Sequence, residues 1–148
     1  MAYWDTSALV KLYVDEPDST RYRQILRESL EPLHTSVVSL AELYRVFWSK
    51  AVSHGLSYDG PDALVQTISE AVEQGRMRLI NYDRQLLGHF RPVIAICYSR
   101  PKPLRLRSAD GIHLASARSV AAAEVVCADR RMREAAESLG FRLLPRRI

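Results

Sequence analysis

This sequence holds little cysteine, little lysine and no long apolar run, and each shortage narrows its chemistry. The two cysteines, Cys97 and Cys127, form no C-x-x-C pair and no metal-ligand spacing. Both sit in apolar runs and are expected to be reduced core residues, which excludes a disulfide scaffold and a thiolate metal site. Lysine is confined to Lys11, Lys50 and Lys102, so arginine supplies the rest of the 21 basic residues. Arginine reads phosphate bidentately and stacks on bases; a codon bias toward arginine explains the skew equally well. No apolar stretch approaches membrane-spanning length. The first residues lack the basic-then-apolar pattern of a secretory leader, because Asp5 arrives too early. The expectation is a cytoplasmic protein without a membrane span. No internal repeat or low-complexity tract is present.

What is present is an ordinary globular composition: 47% apolar and 26% charged over 148 residues, with a net charge of +4. That length suits a single domain spanning 1–148 with a real core. The sequence pI of about 9.3 favours polyanionic partners without proving one.

Periodicity predicts alternating strands and helices. Ala2–Trp4 reads as a buried strand, and Thr6–Val14 as a helix with Leu9, Val10 and Tyr13 on one stripe. Asp18 or Ser19 is expected to cap a second helix running to about Leu30. Leu33–Thr35 is a short strand, and Val37–Ser53 a long helix stopped by Gly55. Asp59-Gly60-Pro61-Asp62 signals another helix start, continuing over Ala63–Gln74 until Gly75. Arg76–Ile80 alternates as a strand. Asp83 caps a helix that Pro92 should interrupt and Val93–Tyr98 resume. An Ala-rich helix follows from Ser108 to about Val120, then a strand over Glu124–Ala128. A helix over Arg130–Leu139, capped by Gly140, precedes a last strand over Phe141–Leu144. Strands alternating with helices imply a three-layer α/β/α fold, with a central parallel sheet of four to five short strands.

Four acids stand where apolar runs give way to helices: Asp5, Glu42, Asp110 and Asp129. Each has a purely local explanation. Asp5 and Asp129 suit helix N-caps, Ser39 and Glu42 fit a capping box if the helix begins at Leu40, and Asp110 suits a first helical turn. Those local readings also point to one place, because a cap that follows a strand lies at the strand's C-terminal end. Open parallel sheets build their sites at that edge. Asp110 shares its helical face with Leu114, Ala117 and Ala121, so its carboxylate is aimed at the sheet. Glu42 lies opposite the Leu40–Leu43–Phe47 stripe, and periodicity alone does not bring it to the rim. Carboxylates gathered this way repel one another and call for a divalent cation.

The four histidines are scattered, and no H-x-x-H spacing supports zinc. His113, one turn from Asp110, is read with the others as structural or surface. Arg100, Lys102, Arg105 and Arg107 run into Asp110, and Arg130, Arg131 and Arg133 follow Asp129. These clusters suit the steering of a phosphate backbone, and a merely solvated face suits them about as well. A phosphate-accepting receiver domain would need an acidic pair near the first strand and a late lysine. Asp5 has no acidic neighbour, and no lysine follows Lys102. A D-x-D phosphatase fails on Ser7.

At this point the residues resemble a known family. Asp5-Thr6-Ser7-Ala8-Leu9-Val10-Lys11-Leu12-Tyr13 looks like the opening motif of PIN-domain ribonucleases, and Ala41-Glu42 like their second acid. Asp110-Gly111-Ile112-His113-Leu114-Ala115-Ser116-Ala117 looks like the third. Ala128-Asp129-Arg130-Arg131-Met132 with Leu139-Gly140-Phe141 looks like the closing motif. The four motifs span nearly the whole chain in order, and its short form is most similar to VapC-type toxins. The resemblance implies Mg²⁺- or Mn²⁺-dependent hydrolysis of RNA, with Asp5, Glu42, Asp110 and Asp129 as the catalytic metal-binding acids and Thr6 and Ser7 in support. It also implies a small VapB-like antitoxin partner and a homodimer. A DNA nuclease is the nearest alternative. Gly111 departs from the usual Ala at some cost in helix stability. Cys127 departs from the usual Thr or Ser two residues before the fourth acid, which puts the surroundings of that acid in question.

Overall fold

The computed structural model describes residues 1–54 and 60–148. The expected stop at Gly55 and the Asp59 of the following helix-start signal lie outside the described residues. Five strands form one sheet: β1 (Ala2–Trp4), β2 (Leu33–Ser36), β3 (Met77–Ile80), β4 (Glu124–Val126) and β5 (Arg142–Leu144). Their order is β3-β2-β1-β4-β5, and every neighbouring pair is parallel. The chain therefore starts at the centre, moves outward to β3, and crosses back over β1 to build the other half. Its topological switch lies between β1 and β4, where such sheets open a crevice beyond the strand ends.

Alternation along each strand makes the three layers. Tyr3, Val125 and Leu143 point to one face. There they meet Val93 and Cys97 of α5 (Leu86–Tyr98), Leu114 of α6 (Ser108–Ser119) and Met132 of α7 (Arg130–Ser138). Trp4 and Val126 point the other way. They pack with Leu9 of α1 (Thr6–Tyr13), Tyr22 of α2 (Ser19–Glu28), Phe47 of α3 (Val38–His54) and Ile68 of α4 (Gly60–Glu73). A one-residue change in register would exchange these two cores, so β1 and β4 are strongly specified.

Several boundaries differ from the periodicity reading, each for a local reason. Pro92 lies inside a continuous α5. Proline forfeits one backbone bond there, while buried Leu86 on one side and Val93 and Cys97 on the other hold both halves against the protein. Helix α2 ends at Glu28, because Leu30 is wholly exposed and no burial sustains another turn. Neither candidate caps α2 with its side chain. Asp18 instead takes Lys11 Nζ at 2.6 Å, and Ser19 Oγ bonds to Val14 and Glu16. Lys11 and Lys50 both bind Glu16, so two of the three lysines are spent on the fold. The Ser39–Glu42 capping box does not form: α3 starts at Val38, and Ser39 bonds Thr35.

Gly111 is more than a costly substitution. A Cβ there would lie 2.7 Å from the Phe90 ring and 3.1 Å from Ile94, so the bare backbone lets α6 lie close against α5. The end of α6 shows the reverse mismatch. Ala121 N–H bonds Arg118 and Ala122 N–H bonds Ala117, a Schellman closure in which Ala121 takes φ 51°. The closures of α4 and α7 place Gly75 and Gly140 at that position. Ala121, which lies past the helix and not on its buried face, carries the left-handed cost that glycine avoids. Ala121→Gly is expected to stabilise the protein by about 0.5–1 kcal/mol, read as a higher urea midpoint at unchanged slope. A lower midpoint would show that the turn does not hold this conformation.

Candidate active site

Asp5 leaves the end of β1 and caps α1: its Oδ2 accepts Ser7 N–H at 3.1 Å and the Ser7 hydroxyl at 2.5 Å. Asp129 follows the end of β4 and caps α7 through Met132 N–H at 2.9 Å. Asp110 stands in the first turn of α6, where its Oδ2 accepts Arg107 N–H at 3.1 Å. The local readings thus hold for these three, two as caps and one as a first-turn acid, and they also deliver the acids to one rim. Glu42 reaches it too. All four line a single cavity of about 200 Å³, together with Thr6, Ser7, Arg45 and His113. Glu42 arrives from the face of α3 opposite the buried Leu43 and Phe47. At the helix start that face looks across the strand ends, not outward.

Thr6 and Ser7 orient these carboxylates. Thr6 Oγ1 donates to Glu42 Oε2 at 2.5 Å. Ser7 Oγ donates to Asp5 and accepts Ala128 N–H at 3.0 Å and Asp129 N–H at 3.2 Å. One hydroxyl therefore ties the end of β1 to the segment leaving β4. His113, read from sequence as structural or surface, is buried and belongs to the site. Its Nε2 lies 2.8 Å from Glu42 Oε2 and 3.8 Å from Asp5 Oδ1, and its Nδ1 lies 2.7 Å from Tyr3 Oη. Arg45 was also missed. Each sits three residues after a named acid, and that helical spacing was the available signal.

Burial raises the Asp110 pKa, and the Asp5 and Asp129 carboxylates add to it, against the opposing Arg107 N–H. Burial also works against Glu42, but hydrogen bonds from His113 and Thr6 outweigh it and lower its pKa. His113 is disfavoured as a cation by burial, yet its bond to Glu42 and the surrounding carboxylates raise its pKa overall. The cavity is thus a site of crowded negative charge. Its donors are carboxylate oxygens, a hard set that suits Mg²⁺ or Mn²⁺. As the side chains stand, no three His, Cys, Asp or Glu among the described residues are gathered closely enough to chelate an ion. The carboxylates line the cavity while engaged with N–H and O–H donors.

A second cavity of about 240 Å³ shares Asp110 and Asp129 and adds Arg107, Arg130 and Arg131. These three arginines flank the acids as their sequence positions suggested. Arg133 does not. It is buried, and its guanidinium donates to the carbonyls of Cys127, Pro145 and Arg146. Arg100 bonds Ser138 at the end of α7. A larger cavity of about 520 Å³, lined by Leu12, Tyr13, Leu26, Leu30 and Met77 among others, lies at the opposite edge of the sheet, away from the acids.

Cys127 serves the first acid more than the fourth. Its Sγ lies 3.5 Å from Asp5 Oδ2 and touches Asp129 through the backbone carbonyl only. Burial, aided by the Asp5 carboxylate, pushes its pKa far up, the opposite of what a reactive thiol needs. Cys127→Ser places a stronger donor beside Asp5 and is expected to keep or modestly raise the activity of the site. Wild-type activity should survive a thiol-alkylating reagent as long as the protein stays folded. Loss of activity in the serine variant, or alkylation that inactivates without unfolding, would contradict a purely supporting thiol.

Comparison with known proteins follows the same lines. The PIN domain family model matches residues 2–138. Ribonuclease VapC46 of Mycobacterium tuberculosis (strain ATCC 25618 / H37Rv) is 33% identical over 144 residues, 96% of this chain and 95% of that protein. The crystal structure of Mycobacterium tuberculosis VapC20, a Sarcin-Ricin loop cleaving toxin, aligns with a TM-score of 0.66. It covers 91% of this chain and 95% of its own at 14% identity, a likeness that speaks for the fold.

Proposed function

This chain belongs to the PIN-domain family, and on that premise we propose that it is a metal-dependent endoribonuclease, the toxin of a type II toxin–antitoxin pair. The observation that carries this reading is the cavity lined by Asp5, Glu42, Asp110 and Asp129 at the switch between β1 and β4. The name of VapC46 supports RNA as the polymer. Asp5, Glu42 and Asp110 would hold the cation directly or through water, and Asp129 a second or water-mediated ion. Mg²⁺, or Mn²⁺ in its place, supplies a Lewis acid and lowers the pKa of a bound water. Thr6 and Ser7 keep Glu42 and Asp5 in place. Arg107, Arg130 and Arg131 bind the phosphate backbone beside the acids, where carboxylates alone would repel it. Lys102 is exposed in the loop before α6 and adds to the same field.

The pairing rests on kinship with VapC-type proteins. A small VapB-like partner would neutralise the cavity by inserting an arginine or lysine among the carboxylates. A homodimer and a cytoplasmic location complete the proposal; among the described residues no helix is long and apolar enough to cross a membrane. The test is cleavage of RNA and of DNA by the purified chain with Mg²⁺, with Mn²⁺ and with excess chelator. RNA cleavage that chelation abolishes is expected. DNA cleavage alone, or RNA cleavage that persists in chelator, would refute the reading. Induction of the chain alone should arrest bacterial growth, and normal growth with soluble intact protein would refute the toxin assignment.

A further inference from the structure

Tyr3 and His113 are polar side chains sealed in the core, 0% and 1% exposed. Burying them is costly unless they bond each other or something beyond. They form a directed chain. Glu42 is acceptor-only when ionised, so the 2.8 Å contact from its Oε2 to His113 Nε2 requires the proton on Nε2. In the neutral ring Nδ1 is then an acceptor, and Tyr3 O–H donates to it at 2.7 Å. Tyr3 Oη in turn accepts Ser36 N–H from β2 at 3.1 Å. The imidazolium would present the same Nε2–H, so Glu42 is donated to in either state. The elements involved, β1, β2, α6 and α3, all belong to the packed body of the protein.

We propose that His113, oriented from behind by Tyr3, is a positioning residue for Glu42. It fixes Oε2 at one point on the rim and leaves Oε1 to serve as the cation's ligand. The inference rests on the reading of Glu42 as a metal-binding acid. It goes further by assigning the control of that acid to a residue outside the carboxylate set. Thr6 approaches the same oxygen at 2.5 Å, so Oε2 is held from two directions, by α1 and by α6. Loss of a group that orients a ligand carboxylate commonly weakens metal affinity roughly 10–100-fold.

The experiment measures Mn²⁺ binding by calorimetry on the intact chain without RNA, alongside RNA cleavage. His113→Leu removes the donor and is expected to weaken Mn²⁺ binding roughly 10–100-fold. His113→Gln returns an N–H near the Nε2 position and should recover most of that loss. Tyr3→Phe frees the ring to turn and should fall between them, at roughly 3–10-fold. In the wild type, histidine ¹⁵N shifts should report a proton on Nε2, a reading that needs neither metal nor RNA and holds even if His113→Leu does not fold. A folded His113→Leu that binds Mn²⁺ like the wild type, or a neutral ring protonated on Nδ1, overturns the positioning role and leaves the nuclease reading standing. A wild-type chain that neither binds Mn²⁺ nor cleaves RNA overturns the nuclease reading, and with it the ligand role of Glu42.

Discussion

Asp5→Asn and Asp110→Asn, made singly, are each expected to cut metal-dependent RNA cleavage by roughly 10²–10³-fold or more while the protein stays folded. Asparagine matches aspartate in shape and keeps one acceptor oxygen. At Asp110 that oxygen can still take the Arg107 N–H, and at Asp5 it can still take the Ser7 N–H and hydroxyl. The caps therefore survive, and what disappears is the charge that would hold a cation. At Asp110 the change also relieves crowding, because that carboxyl is half-buried and repelled by Asp5 and Asp129. The Asp110→Asn protein should then melt no lower than the wild type while losing activity. That opposition between stability and function is expected where a site concentrates like charge. Circular dichroism and a melting curve check the fold, and a chelator control checks the metal. Full activity in both variants would mean the acids are structural caps and nothing more.

Arg133→Met is expected to destabilise the protein by about 2–4 kcal/mol, a fall in melting temperature of roughly 5–15 °C. The guanidinium donates to Cys127 O at 2.9 Å, Pro145 O at 2.7 Å and Arg146 O at 3.2 Å. Methionine can fill the space of the stem but leaves those carbonyls without this donor. The loss should reach the active site as well. Cys127 lies between β4 and Asp129, so slack in that carbonyl loosens the segment carrying the fourth acid. Urea unfolding followed by circular dichroism measures the first effect, and cleavage below the transition measures the second. A methionine variant within about 0.5 kcal/mol of the wild type would show that water replaces the guanidinium freely. By contrast, Arg130→Met and Arg131→Met should weaken RNA binding without moving the midpoint, since both residues are exposed.

The difference between Arg133 and its neighbours also marks how far sequence reading reached. Runs of apolar residues with period two or 3.6 located the strands and helices, because a layered sheet must bury those faces. The caps located Asp5 and Asp129, because a strand that turns into a helix needs an acceptor at the turn. Neither signal reports what lies across the fold from a polar side chain. Arg133 reads like Arg130 and Arg131 until β5 is known to end beside it. His113 reads like any histidine in an apolar helix until β1 places Tyr3 behind it and α3 places Glu42 in front. Glu42 was singled out by its place at a helix start, but only motif likeness tied it to the rim, because its own helical face points away from the buried stripe. Long-range polar pairing of this kind is set by topology, and topology leaves only a faint trace in local pattern. The Ala121 turn shows the same limit in the backbone: an alanine in left-handed conformation gives no compositional sign of itself.

The Ser7 hydroxyl has a consequence for timing. It joins residues more than a hundred positions apart, and of the two strands it stitches, β1 is translated well before β4. Closing so long a loop is slow and entropically costly. While the ribosome is still making the second half, Asp5 has its Ser7 cap but neither the Cys127 thiol beside it nor the company of Asp110 and Asp129. A nascent chain thus carries no complete acid cluster, however well its first half has folded. The four acids meet at one rim only when β4 docks beside β1. The order of strands in the sheet therefore makes completion of the acid cluster a late event in the folding of the chain.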